Sequence, residues 1–239
     1  VCCTAGAATY SDGLNLESSN AVYGNDNDDI LITATTSTSP TIFAYDNANL
    51  TIKGNSITIN TPTEGVRAEK NSTITLGNSN TENISIVAGG NKILDVGVLS
   101  MLSGSVVDIT TKTLTVTSNG WFGIHVQNNN EDGTAPADAA TININAENTI
   151  VTGNAQLGLS AFSHGQLNVN SNLIVNAINA IDARGNSTIN INTKEKHTTK
   201  LSGDIVFETP NSPGDAQNSG KIINANVNVV LTGNDSFWK

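Results

Sequence analysis

The sequence predicts an all-β protein: a right-handed parallel β-helix (β-solenoid) with three short strands per coil and about 22–25 residues per coil, lengthened by loop insertions. Short runs of alternating apolar and polar residues recur along the chain, separated by Asn, Gly, Ser or Asp. These runs align with one another as a repeat. Only 4% of the residues are aromatic and 13% are charged, which suits a narrow interior filled by small aliphatic side chains.

Each repeat begins with an apolar pair that is expected to point inward, and a second pair follows eight residues later. The first pairs are Ile42/Ala44, Val66/Ala68, Leu99/Met101, Ile124/Val126, Leu159/Ala161 and Ile181/Ala183. The second pairs are Leu50/Ile52, Ile74/Leu76, Val107/Ile109, Leu167/Val169 and Ile189/Ile191, with Ile142/Ile144 displaced by ten extra residues. A third pair often follows a turn, as at Ile57/Ile59, Ile84/Ile86 and Leu114/Val116. An antiparallel β-sandwich would also give alternating strands, but it predicts frequent Asn-Gly or Asp-Gly hairpin turns, and these are few.

Residues 8–239 are expected to form a single β-helix, the N-terminal part of a longer chain. Residues 1–7 are either a signal-peptide remnant that ends in an A-x-A cleavage site (AGA, residues 5–7) or an ordinary N-terminal segment. The segments 127–140 and 193–221 break the repeat and are predicted to be surface loops, because a solenoid accommodates insertions where the chain leaves the rod. The second segment includes a possible short strand at 203–208.

The charge balance limits the partners of this chain. Eleven basic and 21 acidic residues give a net charge of −10. Nucleic acid and anionic lipid surfaces are therefore excluded as expected partners, because both require a concentrated basic surface. The only cysteines, Cys2 and Cys3, are adjacent, and His125, His164 and His197 lack metal-ligand spacing. No metal and no cofactor are predicted.

The three-strand repeat, the signal-like start and the closing run 229–238 (VVLTGNDSFW) resemble a known family. They are similar to passenger domains of bacterial type V autotransporters of the monomeric, pertactin-like kind. The resemblance implies an exported, cell-surface adhesin of a diderm bacterium. It would bind a protein or glycan of host or bacterial surfaces, or biofilm matrix, and it could self-associate between β-helices. The resemblance also implies a membrane β-barrel C-terminal to Lys239 in the same precursor.

The outward row that follows the first pairs contains serine, histidine and aspartate, but a catalytic triad is not predicted. Rungs about 4.8 Å apart would let His125 contact Ser100 or Ser160, and would leave Asp182 two rungs away. Asp182 and Arg184 are expected to form an isolated surface ion pair. The alternative function is a β-helical lyase or hydrolase of acidic polysaccharides. It is disfavoured because the acidic residues are scattered over loops instead of being clustered.

Binding is expected at exposed aromatic residues and at the two insertion loops, since rings beside polar side chains suit sugars and proteins. The outward row of the second strand is also predicted to form a ladder of side-chain amides through Asn143, Asn168 and Asn190. The candidate binding residues are Trp121, Asn128, Glu131, Asp132, Phe162, Asn211 and Asp215.

Overall fold

The architecture comes from a computed structural model. It describes residues 6–35, 40–89, 95–128, 138–153, 155–184, 187–192, 197–208, 221–224 and 229–232. Within these residues the chain forms twenty strands and no helix. The strands are β1 Ala7–Tyr10, β2 Leu14–Glu17, β3 Asn20–Tyr23, β4 Asp29–Thr33, β5 Ile42–Tyr45, β6 Asn49–Ile52, β7 Ser56–Thr61, β8 Val66–Glu69, β9 Thr73–Leu76, β10 Asn83–Ala88, β11 Val96–Met101, β12 Val106–Ser118, β13 Phe122–Gln127, β14 Thr141–Gly153, β15 Leu157–Phe162, β16 Gln166–Arg184, β17 Thr188–Ile191, β18 Thr199–Glu208, β19 Lys221–Asn224 and β20 Val229–Thr232.

The strands pair in parallel and form a solenoid-like sheet with three faces. Early in the chain each strand pairs with the third strand after it: β1 with β4, β2 with β5 and β3 with β6. Face A contains β2, β5, β8, β11, β13, β15 and the ends of β16 and β18. Face B contains β3, β6, β9, the starts of β12, β14 and β16, and β17 and β19. Face C contains β1, β4, β7, β10, later parts of β12, β14 and β16, the start of β18, and β20.

The inward pairs predicted from the sequence form the main core, with one exception. Ile42, Ile124 and Ile181, for example, are at most 1% exposed. The second and third pairs are buried in the same cluster, and Ile142 stays in register with Val107 and Leu167 despite the preceding insertion. Parallel strands keep equivalent side chains in line, so the alternating pattern predicts the core wherever one side of a strand is clearly polar.

The exception is β11, where the predicted inward pair Leu99/Met101 is wrong by one residue. Val98 pairs with Val66 and Ile124, so Val98 and Ser100 point inward. Ser100 is fully buried, and its hydroxyl donates to the Ser105 carbonyl at 3.0 Å. A one-residue shift exchanges the two sides of a strand. Because β11 is buried on both sides, its alternation did not identify the inner one.

A stack of glycines marks the corner at which the chain enters face A. In each of four consecutive repeats a glycine precedes the first inward residue of face A: Gly65, Gly97, Gly123 and Gly158. A Cβ atom added at Gly123 would lie 2.6 Å from Val151 Cγ1 and 2.7 Å from the Gly158 carbonyl oxygen. This corner therefore has no space for a side chain, because the backbone of one repeat lies directly against the next.

The opposite corner, between faces A and B, uses left-handed backbone conformations in residues other than glycine. Lys70 and Asn71 have φ of 48° and 59°, and Asn47 has φ of 65°. The Asn47 amide donates to the Lys70 carbonyl at 2.9 Å, and the Asn71 amide donates to the Ser103 carbonyl at 3.0 Å. Asparagine tolerates this conformation better than most residues. These corners account for some of the 35 asparagines in the chain.

The expected loop 193–221 contains a paired strand that is longer than the one predicted. Strand β18 begins at Thr199, and its first half pairs with β16 on face C. Its second half pairs with the end of β16 on face A, where Ile181 aligns with Ile205. The remainder of this segment, 193–196 and 209–220, lies outside the described residues, as does 129–137 of the other expected loop.

The predicted amide ladder on face B is confirmed. Asn190 Nδ2 donates to Asn168 Oδ1 at 2.8 Å, and Asn168 Nδ2 donates to Asn143 Oδ1 at 2.7 Å. Asn143 Nδ2 then donates to Asp108 Oδ1 at 2.7 Å. The four side chains therefore form one chain of hydrogen bonds that crosses four aligned strands and ends on a carboxylate.

Candidate functional site

The outer side of face A carries a layer of aromatic, charged and apolar side chains. Successive strands align Phe43 with Arg67, Arg67 with Leu99, and Leu99 with His125. The same row continues through Ser160 to Asp182. Several apolar residues near this row are buried without belonging to the main core cluster: Val96, Leu99 and Leu157. We call these residues and their described contacts the outer layer of face A.

His125 is the centre of one half of this layer. Its ring stacks on Phe122 with centroids 4.1 Å apart, and the Phe162 ring meets it edge-on at 4.8 Å. His125 Nδ1 lies 2.8 Å from Ser160 Oγ, and Nε2 lies 3.3 Å from Gln127 Oε1. A neutral ring with its proton on Nε2 satisfies both contacts, because Nε2–H then donates to Gln127 and the Ser160 hydroxyl donates to Nδ1.

Burial lowers the pKa of His125 to about 4, and the positive charge of Arg184 acts in the same direction. The hydrogen bonds with Gln127 and Ser160 oppose this shift without overcoming it. His125 is 3% exposed, so a charged ring would lose most of its hydration. The ring therefore stays neutral near pH 7 and acts as an aromatic packing element with two hydrogen bonds.

Asp182 and Arg184 form the expected ion pair, but the expectation that it lies on the surface is wrong for Asp182. The guanidinium binds both carboxylate oxygens, Nε to Oδ1 at 2.7 Å and Nη2 to Oδ2 at 2.6 Å. The Asp182 side chain is fully buried, whereas that of Arg184 is 35% exposed. The guanidinium carbon also lies 4.9 Å from the centre of the Phe162 ring. Arg184 thus links the buried carboxylate to the surface and covers an aromatic face.

The position of Asp182 also bears on the row of serine, histidine and aspartate. His125 contacts Ser160 as the rung spacing predicts, whereas Ser100 points into the core and takes no part in this row. The two oxygens of Asp182 are engaged by Arg184. A carboxylate held by arginine does not orient the imidazole in the way that a hydrolytic triad requires.

Arg67 is the centre of the other half of the layer. Its guanidinium pairs with Glu64 at 3.2 Å and also with Glu69, whose Oε1 accepts from Nε at 2.7 Å. The same guanidinium lies 5.8 Å from the centre of the Phe43 ring. Burial raises the pKa of Glu64; Arg67 opposes this shift, and the carboxylates of Glu69 and Asp95 add to it. The acidic residues are therefore less scattered than the sequence predicts.

The candidate binding residues fall into three groups. Trp121 is 37% exposed and stacks on Phe122 with centroids 6.2 Å apart, and Phe162 is partly buried in the same cluster. Asn128 is only 1% exposed, and its Nδ2 donates to the Asp138 carbonyl at 2.9 Å. Its side chain is therefore buried against the backbone of Asp138 instead of facing solvent. Outside the described residues lie Glu131, Asp132, Asn211 and Asp215.

The alternation of the sequence contained a signal for the two ion pairs of this layer. Arg67 and Glu69 are two residues apart on a strand, as are Asp182 and Arg184, so each pair shares a side. Oppositely charged residues that are two apart on one strand can form an ion pair, because their side chains lie on the same side of the sheet. The burial of these pairs could not be foreseen, because alternation does not indicate what covers an outer face.

Among the described residues, no three His, Cys, Asp or Glu side chains are grouped closely enough to hold a metal ion. The described part of the chain also has no helix that could span a membrane. No protein-family model matches the chain, and neither a curated protein nor a solved structure is significantly similar to it. The fold and the site together define an all-β solenoid with a layer of aromatic and charged side chains on one face.

Proposed function

We propose that the chain is a right-handed parallel β-helix with three strands per coil. Aligned inward residues support this, since Ile42 to Val66, Leu159 to Ile181 and Ile181 to Ile205 are 24, 22 and 24 residues apart. The longer repeats, 32 residues from Val66 to Val98 and 35 from Ile124 to Leu159, contain insertions. The right-handed sense follows the usual rule for crossovers between parallel strands.

We propose that this β-helix is a bacterial cell-surface adhesin that binds glycans or proteins of host or bacterial surfaces, or biofilm matrix. The observation that carries the proposal is the partly exposed edge of the outer layer, where Trp121, Phe162 and Arg184 reach solvent. An aromatic ring and a guanidinium beside it can stack on a sugar ring or on a protein side chain. Tryptophan and arginine also contribute disproportionately to binding energy at interfaces.

Substitution of Trp121 tests this proposal. We expect Trp121→Ala to reduce the adhesion of beads coated with the purified chain to epithelial cells or to bacterial biofilm by about tenfold, because a central aromatic contact contributes ~1.4 kcal/mol or more. Trp121→Phe should retain part of the adhesion, because it keeps an aromatic ring. Val22→Ala is the control, since Val22 is 64% exposed on face B. Equal adhesion of the Trp121→Ala and Val22→Ala proteins would refute the assignment of the surface.

One observation favours the alternative, an enzyme acting on acidic polysaccharides. Glu64 and Glu69 share Arg67, and burial raises the pKa of Glu64. A carboxylic acid with a raised pKa beside a second carboxylate can act as a general acid on a glycosidic bond, and an adjacent arginine can hold a uronate. Both carboxylates are already paired with Arg67, however, which makes a binding surface the better supported function.

Incubation with polysaccharides separates the two functions. We expect the chain to leave polygalacturonate, hyaluronate and chondroitin sulfate uncleaved, as measured by size-exclusion chromatography of the polysaccharide. The test variant is Glu64→Gln. Its matched control is Glu147→Gln, at an exposed position on another face. Cleavage that is lost in Glu64→Gln and kept in Glu147→Gln would establish the enzyme and overturn the adhesin proposal.

A further inference from the structure

A polar groove lies on the outer side of face B, on a different side of the solenoid from the outer layer of face A. It has a volume of about 630 Å³. One wall is the row of side chains formed by Thr75, Asp108, Asn143 and Asn168. The other wall is the next outward row, formed by Thr110, Asn145 and Asn170. The groove therefore runs along the stacking direction of the strands and is lined on both sides by amide and hydroxyl groups.

The first wall is held in a single orientation by its hydrogen bonds. Asn168 donates to Asn143, and Asn143 donates to Asp108, so both amides point their N–H groups towards the N-terminal repeats. Gln166 Nε2 adds a donor to Asn168 Oδ1 at 3.2 Å. The ladder uses one N–H of each amide and one oxygen of Asp108. The second N–H of each amide and the second oxygen of Asp108 can therefore bond to a ligand. These groups are preorganised donors and acceptors, which lowers the entropic cost of binding.

The second wall contains an acceptor that lacks a donor. Asn170 Oδ1 is buried, and no hydrogen-bond donor in the described part of the chain reaches it. A buried acceptor without a donor is uncommon in a folded protein. Asn170 lines the groove, so a rotation of its amide would present an unpaired acceptor to a hydroxyl group of a bound molecule.

The charge of the groove restricts its ligand. Among the described side chains that line it there is no Lys or Arg, and the one charged residue is Asp108. A carboxylate without a basic neighbour repels anionic sugars and accepts hydrogen bonds from neutral hydroxyl groups. The groove spans four aligned strands from Thr75 to Asn168, which is about 14 Å at ~4.8 Å per strand. That length accommodates roughly three sugar residues in an extended chain.

We propose that this groove binds a neutral, hydroxyl-rich glycan chain that lies along the axis of the solenoid. The hydroxyl groups of successive sugar units meet successive amides of Asn143 and Asn168, and the carboxylate of Asp108 accepts from a hydroxyl at one end. The groove is thus a second binding surface, separate from the outer layer of face A, with neutral glycans as its class of ligand. It therefore does not depend on whether Trp121 contributes to adhesion.

Isothermal titration calorimetry on the whole purified chain tests the proposal. The probes are cellohexaose, xylohexaose, mannohexaose and chitohexaose, with hexagalacturonate as the anionic counterpart. We expect at least one neutral hexasaccharide to bind, and Asn143→Ala and Asn168→Ala to weaken it by about tenfold. Asn148→Ala, an exposed residue of the same strand β14 on face C, is the matched control and should bind as the unmodified chain does.

Because the amide ladder also stabilises the fold, a second measurement uses the unmodified chain. Titration of the bound hexasaccharide should shift the side-chain amide NMR signals of Asn143 and Asn168, and should leave those of Asn148 and Asn172 in place. The proposal is overturned if none of the neutral probes binds, if hexagalacturonate binds more tightly, or if the shifts fall on face C. Concentration-dependent shifts of the Asn143 and Asn168 signals without sugar would show a second copy of the chain as the occupant and would also overturn it.

Discussion

Gly123→Ala is expected to destabilise the protein by about 3 kcal/mol, because the new methyl group has no space. It would lie 2.7 Å from the Gly158 carbonyl oxygen, which belongs to the backbone of the next repeat, and 2.6 Å from Val151 Cγ1. A backbone atom in a stacked solenoid cannot move without disturbing the strands on either side. Thermal unfolding measured by circular dichroism should show a Tm lower by about 6–12 °C for a chain of this size.

Gly89→Ala is the matched control for this substitution. A Cβ atom at Gly89 would lie 3.3 Å from its nearest neighbour, the Thr61 carbonyl oxygen, and would meet little else. Its expected effect on the Tm is only a small fraction of that of Gly123→Ala. Comparable losses in the two variants would mean that the glycine stack at the entrance to face A is not a steric requirement of the fold.

His125 is expected to make the protein less stable as the pH falls from about 6.5 to about 4. Burial lowers the pKa of the folded state to about 4. The unfolded chain has a pKa near 6.5, so it takes up a proton first as the pH falls and is favoured increasingly. The stabilisation is complete above about pH 6.5, and about 3 kcal/mol of it is lost at pH 4.

Urea unfolding at a series of pH values, comparing the unmodified chain with His125→Gln, measures this effect. His125→Gln should lower the free energy of unfolding at pH 7, because the substitution removes the stacked ring. It should also flatten the decline of that free energy between pH 6.5 and pH 4. Carboxylates also titrate in this range, so the difference between the two proteins is the relevant quantity. Leu114→Ala, in the main core, should lower the whole curve without changing its slope. An unchanged slope in His125→Gln would contradict a neutral buried ring.

The core of this protein could be predicted from the sequence because alternation and repetition reinforce each other. Leu76, Ile109 and Ile144 occupy equivalent inward positions in aligned strands, and each follows a polar residue. Strand β11 could not be assigned in the same way, since Leu99 is buried on the outside and Ser100 on the inside. A polar residue facing the core and an apolar residue facing outward reverse the pattern on which the register was predicted.

The candidate site was predicted only in part. Trp121 and Phe162 were identified from their residue type and their expected exposure, and they lie together around Phe122 and His125. The burial of the outer layer depends on how side chains of successive strands cover one another. That arrangement follows from the three-dimensional register, which a linear pattern of residues does not encode. The contribution of the expected loops stays a prediction, because Glu131, Asp132, Asn211 and Asp215 lie outside the described residues.

The unequal lengths of the repeats have a consequence for loop-closure entropy. The aligned residues Ile124 and Leu159 are 35 residues apart, whereas Leu159 and Ile181 are only 22 apart. Because the entropic cost of closing a loop rises with the logarithm of its length, the longer segment costs only about 0.4 kcal/mol more to close. A chain of this kind can therefore acquire long excursions at its corners for almost no thermodynamic penalty, while the stacked strands keep their alignment.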